Sequence, residues 1–133
     1  VAQELAGSLG GKLVALVGAS NVVGVPLGLM LRQEGATVRI AQKSTGDLKA
    51  ETRDADIVIS AAGVPGLIGA DHIRQGAYVI DVGVTRVAGR LVGDVDQSAL
   101  MGKAAAVTHV PDGVGPMTAA CLFKNILKLR QLA

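Results

Sequence analysis

Aromatic side chains are nearly missing from this sequence: its 133 residues include one Phe, one Tyr and no Trp. A surface that stacks nucleic-acid bases needs such rings, so the composition argues against a nucleic-acid platform. Charge of one sign is missing too. Thirteen basic residues against eleven acidic ones leave +2, too small an excess to single out a polyanionic partner. Cys121 is the only cysteine, so no disulfide can form within the chain, which fits a reducing, cytoplasmic or mitochondrial setting. No apolar run reaches the roughly 18 residues needed to span a membrane. The opening VAQELAGSLGG lacks the basic region and apolar stretch of a secretory signal. It begins with Val rather than Met, as expected of a portion of a longer protein.

Aliphatic residues and glycine are what the sequence does have. Half of the residues are hydrophobic, so the core of this single domain must be Val, Leu, Ile and Ala. Eighteen glycines between short aliphatic runs suit a parallel sheet buried on both faces and joined by tight connections. Strand signals at residues 13–17, 37–41, 56–61, 77–84 and 104–110 alternate with helical ones at 21–34, 48–55 and 117–132. Residues 68–74 read as one or two helical turns, and 87–91 as a small hairpin turning at Ala88-Gly89. The last helix is amphipathic, with Lys124 and Lys128 on one face and Leu122, Ile126 and Leu129 largely on the other. This alternation predicts an α/β fold: a Rossmann-like three-layer αβα domain with a mainly parallel sheet.

The stretch GASNVVGVP, residues 18–26, follows the first strand and leads into a helix. A nucleophile elbow needs G-x-S-x-G, and here Val22 stands where the second glycine belongs. A phosphate-binding turn needs a strand, a close backbone approach and a helix N-terminus facing the anion. Those elements are present, but the spelling is unusual: Ser20 takes the second glycine's place and Gly24 comes one residue late. A tight turn that binds nothing is the plain alternative.

After the second strand, a dinucleotide fold that takes NAD places a carboxylate against the adenosine ribose. This chain has AQKST there instead. Lys43, Ser44 and Thr45 could hold a ribose 2′-phosphate through charge and hydroxyls, favouring NADP over NAD. Lys43 could equally be an ordinary solvated lysine. Two more glycine-bearing loops, AAGVPG and DVGVT, follow the third and fourth strands, placing Gly63, Val64, Gly83 and Val84 beside the nicotinamide ribose and ring. Asp81 reads as a structural carboxylate that bonds backbone amides.

Five motifs in order, GKLVALVGASNVVGVP, ADIVISAAGVPG, GAYVIDVGVTR, LVGDVD and VPDGVGPMT, resemble the cofactor domain of the bifunctional methylenetetrahydrofolate dehydrogenase/cyclohydrolase family. The resemblance covers nearly the whole chain. It implies oxidation of 5,10-methylenetetrahydrofolate with hydride passing to NAD(P), then hydrolysis to 10-formyltetrahydrofolate. It implies that Gly18, Ala19 and Ser20 hold the pyrophosphate, with Val22, Val23, Ala62 and Thr118 in the same cofactor set and Val84 near the nicotinamide. Pro111, Asp112, Gly113, Val114 and Gly115 would face the folate cleft, and Pro116 would open the last helix.

Asp112 departs from the family pattern, which commonly has glycine there. The family's catalytic tyrosine and lysine lie in an N-terminal domain that residues 1–133 do not include, so no catalytic residue is assigned in this chain. The resemblance also implies a homodimer, and folate binding only together with that other domain. Alone, the chain is expected to bind dinucleotide with little turnover. The alternative is a non-catalytic nucleotide-binding or dimerisation module.

His72, His109 and Cys121 lack metal-ligand spacing, so no metal is expected. His109 could line the cleft or pack at a strand end. Cys121 reads as a small buried apolar residue, Tyr78 as core, and Arg86 and Asp94 as a pair bracing the hairpin.

Overall fold

The structure, a computed structural model, describes residues 1–42 and 44–132. Its centre is a five-stranded sheet in the order β2-β1-β3-β4-β7, with every pairing parallel. The strands are β1 (Leu13–Val17), β2 (Thr37–Ala41), β3 (Ile57–Ser60), β4 (Tyr78–Asp81) and β7 (Ala106–Val107). Between β4 and β7 lies an antiparallel hairpin of β5 (Thr85–Val87) and β6 (Arg90–Val92). Its two-residue turn puts Ala88 at φ 47° and Gly89 at φ 80°, the positive angles that a tight hairpin turn requires.

Four helices cover the two sheet faces: α1 (Ala2–Ala6), α2 (Gly24–Gln33), α3 (Leu48–Thr52) and α4 (Gln97–Leu100); a fifth, α5 (Val114–Leu132), follows β7 and buries none of its residues. Successive side chains of a strand point to opposite faces, which splits the core in two. Val14 and Leu16 of β1 join Ile57, Ile59 and Ile80 with Leu31 of α2. Ala15 and Val17 join Val58 and Val79 with Leu48 and Leu100 from the other side. The expected three-layer α/β architecture is therefore present.

Several boundaries differ from the sequence reading. Helix α2 starts at Gly24 rather than residue 21, because residues 21–23 form a turn. Helix α5 begins at Val114, so Pro116 occupies its third position rather than its first. Its missing N–H still costs nothing there, since first-turn donors have no helical acceptor. Residues 68–74 contain only a single 3-10 turn, Ala70–His72.

Asp56 fastens the non-ligand end of the sheet. Its Oδ2 accepts from Leu13 N at 2.8 Å, and Arg74 pairs with its other oxygen. The Leu13 amide first, and then Arg74, hold the Asp56 carboxyl below its usual value of 3.8. A lowered carboxylate stabilises the fold above the unfolded value and loses that effect as pH falls through the folded one. Asp56→Asn is expected to lower stability by about 1 kcal/mol at neutral pH. In urea titrations the gap to wild type should close as the pH drops below 3.8. A gap that persists in acid would assign the effect to packing instead.

Candidate functional site

Chain order around the sheet reverses between β1 and β3, and the crevice outside their carboxyl ends is where open parallel sheets bind ligands. Gly18, Ala19, Ser20, Gln42, Ala61 and Ala62 line a cleft of about 290 Å³ at that point. Gly18 has φ 109°, and a Cβ there would lie 2.5 Å from the Ala61 carbonyl oxygen. Only glycine meets both demands. A Cβ on Gly24 would overlap the Gly18 carbonyl oxygen, so the first turn of α2 rests directly on the turn.

Ser20 does more than replace a glycine. Its Oγ accepts from Val23 N at 3.1 Å and Gly24 N at 3.4 Å, while its carbonyl accepts from Val25 N at 2.9 Å. These bonds hold residues 21–23 as a turn ahead of α2, whose N-cap is Val23. Among the described residues, the amides of Ala19, Ser20, Asn21 and Val22 take no protein acceptor. A glycine-shaped hollow edged by such donors at a helix N-terminus fits a pyrophosphate.

Beside it, Gln42 lines the same cleft and its amide donates to Thr45 Oγ1 at 2.9 Å. Ser44 is exposed on that loop, and Lys43 lies outside the described residues. Val22 is 84% exposed at the rim, and Val23 is half-buried.

Two buried aspartates hold the neighbouring loops. Asp94 Oδ2 accepts from Ser60 Oγ (2.8 Å), Ala62 N (2.7 Å) and Gly63 N (3.1 Å), and Oδ1 from Val64 N (2.8 Å). Asp81 accepts from the amides of Gly83, Asp94 and Val95 at 3.0, 3.1 and 3.0 Å. Asp81 thus bonds backbone amides, as its sequence context suggested. Burial pushes its carboxyl up from the usual value and the nearby Asp94 adds to this, while its three amide partners pull it back.

Glycine at two positions makes room for the pair. A Cβ on Gly83 would overlap the Asp94 carboxylate, and one on Gly93 would overlap the Asp81 carboxylate. Gly83 is therefore buried against a side chain rather than open to the cleft. Asp94 does not pair with Arg86, contrary to expectation. Asp94 is wholly buried, whereas exposed Arg86 reaches the Gly89 carbonyl of its own hairpin. A glycine directly before an aspartate in an otherwise apolar stretch was the signal for a buried carboxylate.

A second cleft of about 530 Å³ opens along the same edge between the end of β4 and the start of α5. It brings together Val84, Thr118 and the segment from Pro111 to Gly115, which the sequence reading had divided between cofactor and substrate. His109 lines it as well, with Nδ1 2.9 Å from Gln97 Oε1. The Val110–Pro111 peptide is cis, and Asp112 has φ 75° in the left-handed region. Aspartate tolerates that region better than most residues. A Cβ on Gly113 would overlap the His109 carbonyl oxygen, which keeps this loop folded tightly on itself.

Tyr78 is half-buried against the core, as expected. Cys121 is exposed on α5 rather than buried, because α5 buries none of its residues. Among the described residues no three His, Cys, Asp or Glu side chains converge as metal ligands. Nor is any of their helices long and apolar enough to cross a membrane.

The family model for the NAD(P)-binding domain of tetrahydrofolate dehydrogenase/cyclohydrolase matches residues 1–133. Bifunctional protein FolD 2 of Geobacter sulfurreducens is 50% identical over 132 residues, covering 98% of this chain and 46% of its own length. The crystal structure of the bifunctional FolD enzyme from Campylobacter jejuni superposes with TM-score 0.88 at 45% identity, over 91% of this chain and 43% of that one. The Trypanosoma brucei enzyme, complexed with NADP cofactor and inhibitor, gives 0.84 at 43% identity, over 90% and 43%. The chain thus spans less than half the length of the relatives it matches. With its switch-point turn, its glycine-walled clefts and a match from end to end, the chain belongs to the tetrahydrofolate dehydrogenase/cyclohydrolase family, as the NAD(P)-binding domain.

Proposed function

We propose that residues 1–133 are the NADP-binding half of a 5,10-methylenetetrahydrofolate dehydrogenase that also hydrolyses the methenyl product to 10-formyltetrahydrofolate. The observation that carries this reading is the pair of clefts at the carboxyl edge of the sheet. One has the hollow and free amides for a pyrophosphate. The other, mainly apolar and bounded by Val84 and residues 111–115, suits the nicotinamide beside a folate ring. When bound, NADP accepts the hydride lost from the methylene carbon of the folate.

In this reading Gly18, Ala19 and Ser20 bind the pyrophosphate, and Val22 and Val23 border it. Lys43 and Ser44 take the ribose 2′-phosphate. Ala62, Gly63, Val64, Val84 and Thr118 shape the nicotinamide side, and Pro111, Asp112, Gly113, Val114 and Gly115 the folate side. The chain's own part is to bind, orient and exclude water. Proton transfers and iminium chemistry belong to side chains of an N-terminal domain outside residues 1–133. A homodimer and a cytoplasmic setting complete the proposal.

Lys43→Ala tests the cofactor preference. Loss of one charge-assisted phosphate contact is expected to weaken NADP binding by about 10- to 100-fold and leave NAD nearly unchanged. Calorimetric titration of both dinucleotides reads this directly. Equal NADP affinity in variant and wild type would remove Lys43 from the site. Failure of wild type to bind either dinucleotide would favour a dimerisation module without cofactor.

A further inference from the structure

Three successive backbone N–H groups, those of Ala62, Gly63 and Val64, converge on the Asp94 carboxylate. Consecutive amides curled around one point make an anion-binding concavity of the kind that holds phosphate groups. Here the concavity is filled by the protein's own anion, which is wholly buried. It stands directly beside the switch-point cleft, since Ala61 and Ala62 line that cleft and the Ala61 carbonyl faces Gly18. Two amide-rich turns thus lie side by side, one open and one plugged.

The plug has a chemical consequence. With its amides engaged by Asp94, the loop after β3 has only carbonyl acceptors left for a ligand. Carbonyl oxygens suit ribose hydroxyls and a carboxamide N–H, and they repel phosphate. We propose that Asp94 is a positioning residue: it withdraws the amides of residues 62–64 from the crevice, which confines the pyrophosphate to the Gly18 turn and leaves the loop carbonyls to the nicotinamide half. The inference rests on the dinucleotide reading given above.

Aspartate is required because both of its oxygens accept. In Asp94→Asn, either amide orientation sets an N–H₂ donor against a backbone N–H donor. The less costly orientation keeps the three Oδ2 contacts and faces the amide nitrogen to Val64, which frees that one N–H. The loop should then let go at Val64 while the rest of the domain stays folded.

The test uses the natural polypeptide that carries this chain, as wild type and as Asp94→Asn. Calorimetry compares NADP with adenosine 2′,5′-bisphosphate, which lacks the nicotinamide half, and amide hydrogen exchange reports on Val64. NADP affinity is expected to fall by about tenfold while the bisphosphate changes less than about twofold, with Val64 exchange accelerated. A purely structural role would weaken both ligands alike. That result, or an unchanged NADP affinity, overturns the inference. Should Asp94→Asn not fold, Ser60→Ala removes one donor to the same carboxylate and should lower NADP affinity about threefold, again sparing the bisphosphate. Equal affinity for both ligands in Ser60→Ala and wild type would then overturn it. A wild type that binds neither ligand instead brings down the dinucleotide reading, and this inference with it.

Discussion

Gly24→Ala is expected to weaken dinucleotide binding about 100-fold, close to 2.7 kcal/mol, with NADP and NAD affected alike. The added methyl would overlap the Gly18 carbonyl oxygen and come within 2.9 Å of Ala19 Cα. Both are backbone atoms, so no rotamer change relieves the clash. The turn cannot retreat either, because on its far side Gly18 already abuts the Ala61 carbonyl. Either the start of α2 lifts or the turn moves outward. Both shift the free amides by roughly an ångström, enough to cost a bound, oriented group about two orders of magnitude. Gly10→Ala serves as the control, since its methyl would meet only Ser8 Oγ at an ordinary 3.5 Å. Calorimetric titration that finds Gly24→Ala binding like Gly10→Ala would show that the turn does not hold the pyrophosphate.

Asp81→Ala should cost about 3–5 kcal/mol of stability, a large part of what holds a domain of this size together. It strands the amides of Asp94 and Val95 without acceptors in a buried place and leaves Gly83 N only the Ser60 carbonyl at 3.2 Å. It also removes the group that fixes Asp94, and through Asp94 the loop at residues 62–64. Asp81→Asn retains one accepting oxygen and should cost only about 1–2 kcal/mol. Urea midpoints of the two variants measure the difference. Equal losses would mean that shape rather than hydrogen bonding governs this position.

The fold was legible where local chemistry decides it. Strands β1 and β2 begin and end where the sequence reading put them, because Gly18 and Gly35 sit next to aliphatic runs. The later strands came out shorter than their apolar runs. Val82 and Val84 lie past the end of β4 in the loop toward the hairpin, and β7 ends at Val107, with Thr108 donating its N–H to the Val79 carbonyl and accepting the Asp81 amide through its hydroxyl. Helices α1 and α4 were not foreseen at all. Each is at most five residues long, and α4 depends on Asp96 accepting from the Ala99 amide rather than on an apolar period.

The site was legible in a similar, uneven way. Glycines after strands pointed to the right edge of the sheet, and the departures from the usual spacing at Ser20 and Gly24 proved to be connected features of one turn. Asp94 was misread because its partners lie 30 to 34 residues away, where no spacing rule reaches. Gln42 was missed since a lone glutamine carries no motif. Helix α5 was read correctly as a helix, but its packing was not. Leu122, Phe123, Ile126, Leu127 and Leu129 are 51–67% exposed, and sequence periodicity says nothing about what lies against an apolar face.

The most direct measurement is a hydrogen–deuterium exchange footprint of the natural polypeptide with and without saturating NADP. Occupation of the switch-point cleft predicts slowed exchange at Ala19, Ser20, Asn21 and Val22, with a weaker effect at residues 42–45. Unchanged exchange throughout residues 18–24, with protection appearing elsewhere in the chain, would contradict the assignment of the GASNVVG turn as the pyrophosphate site.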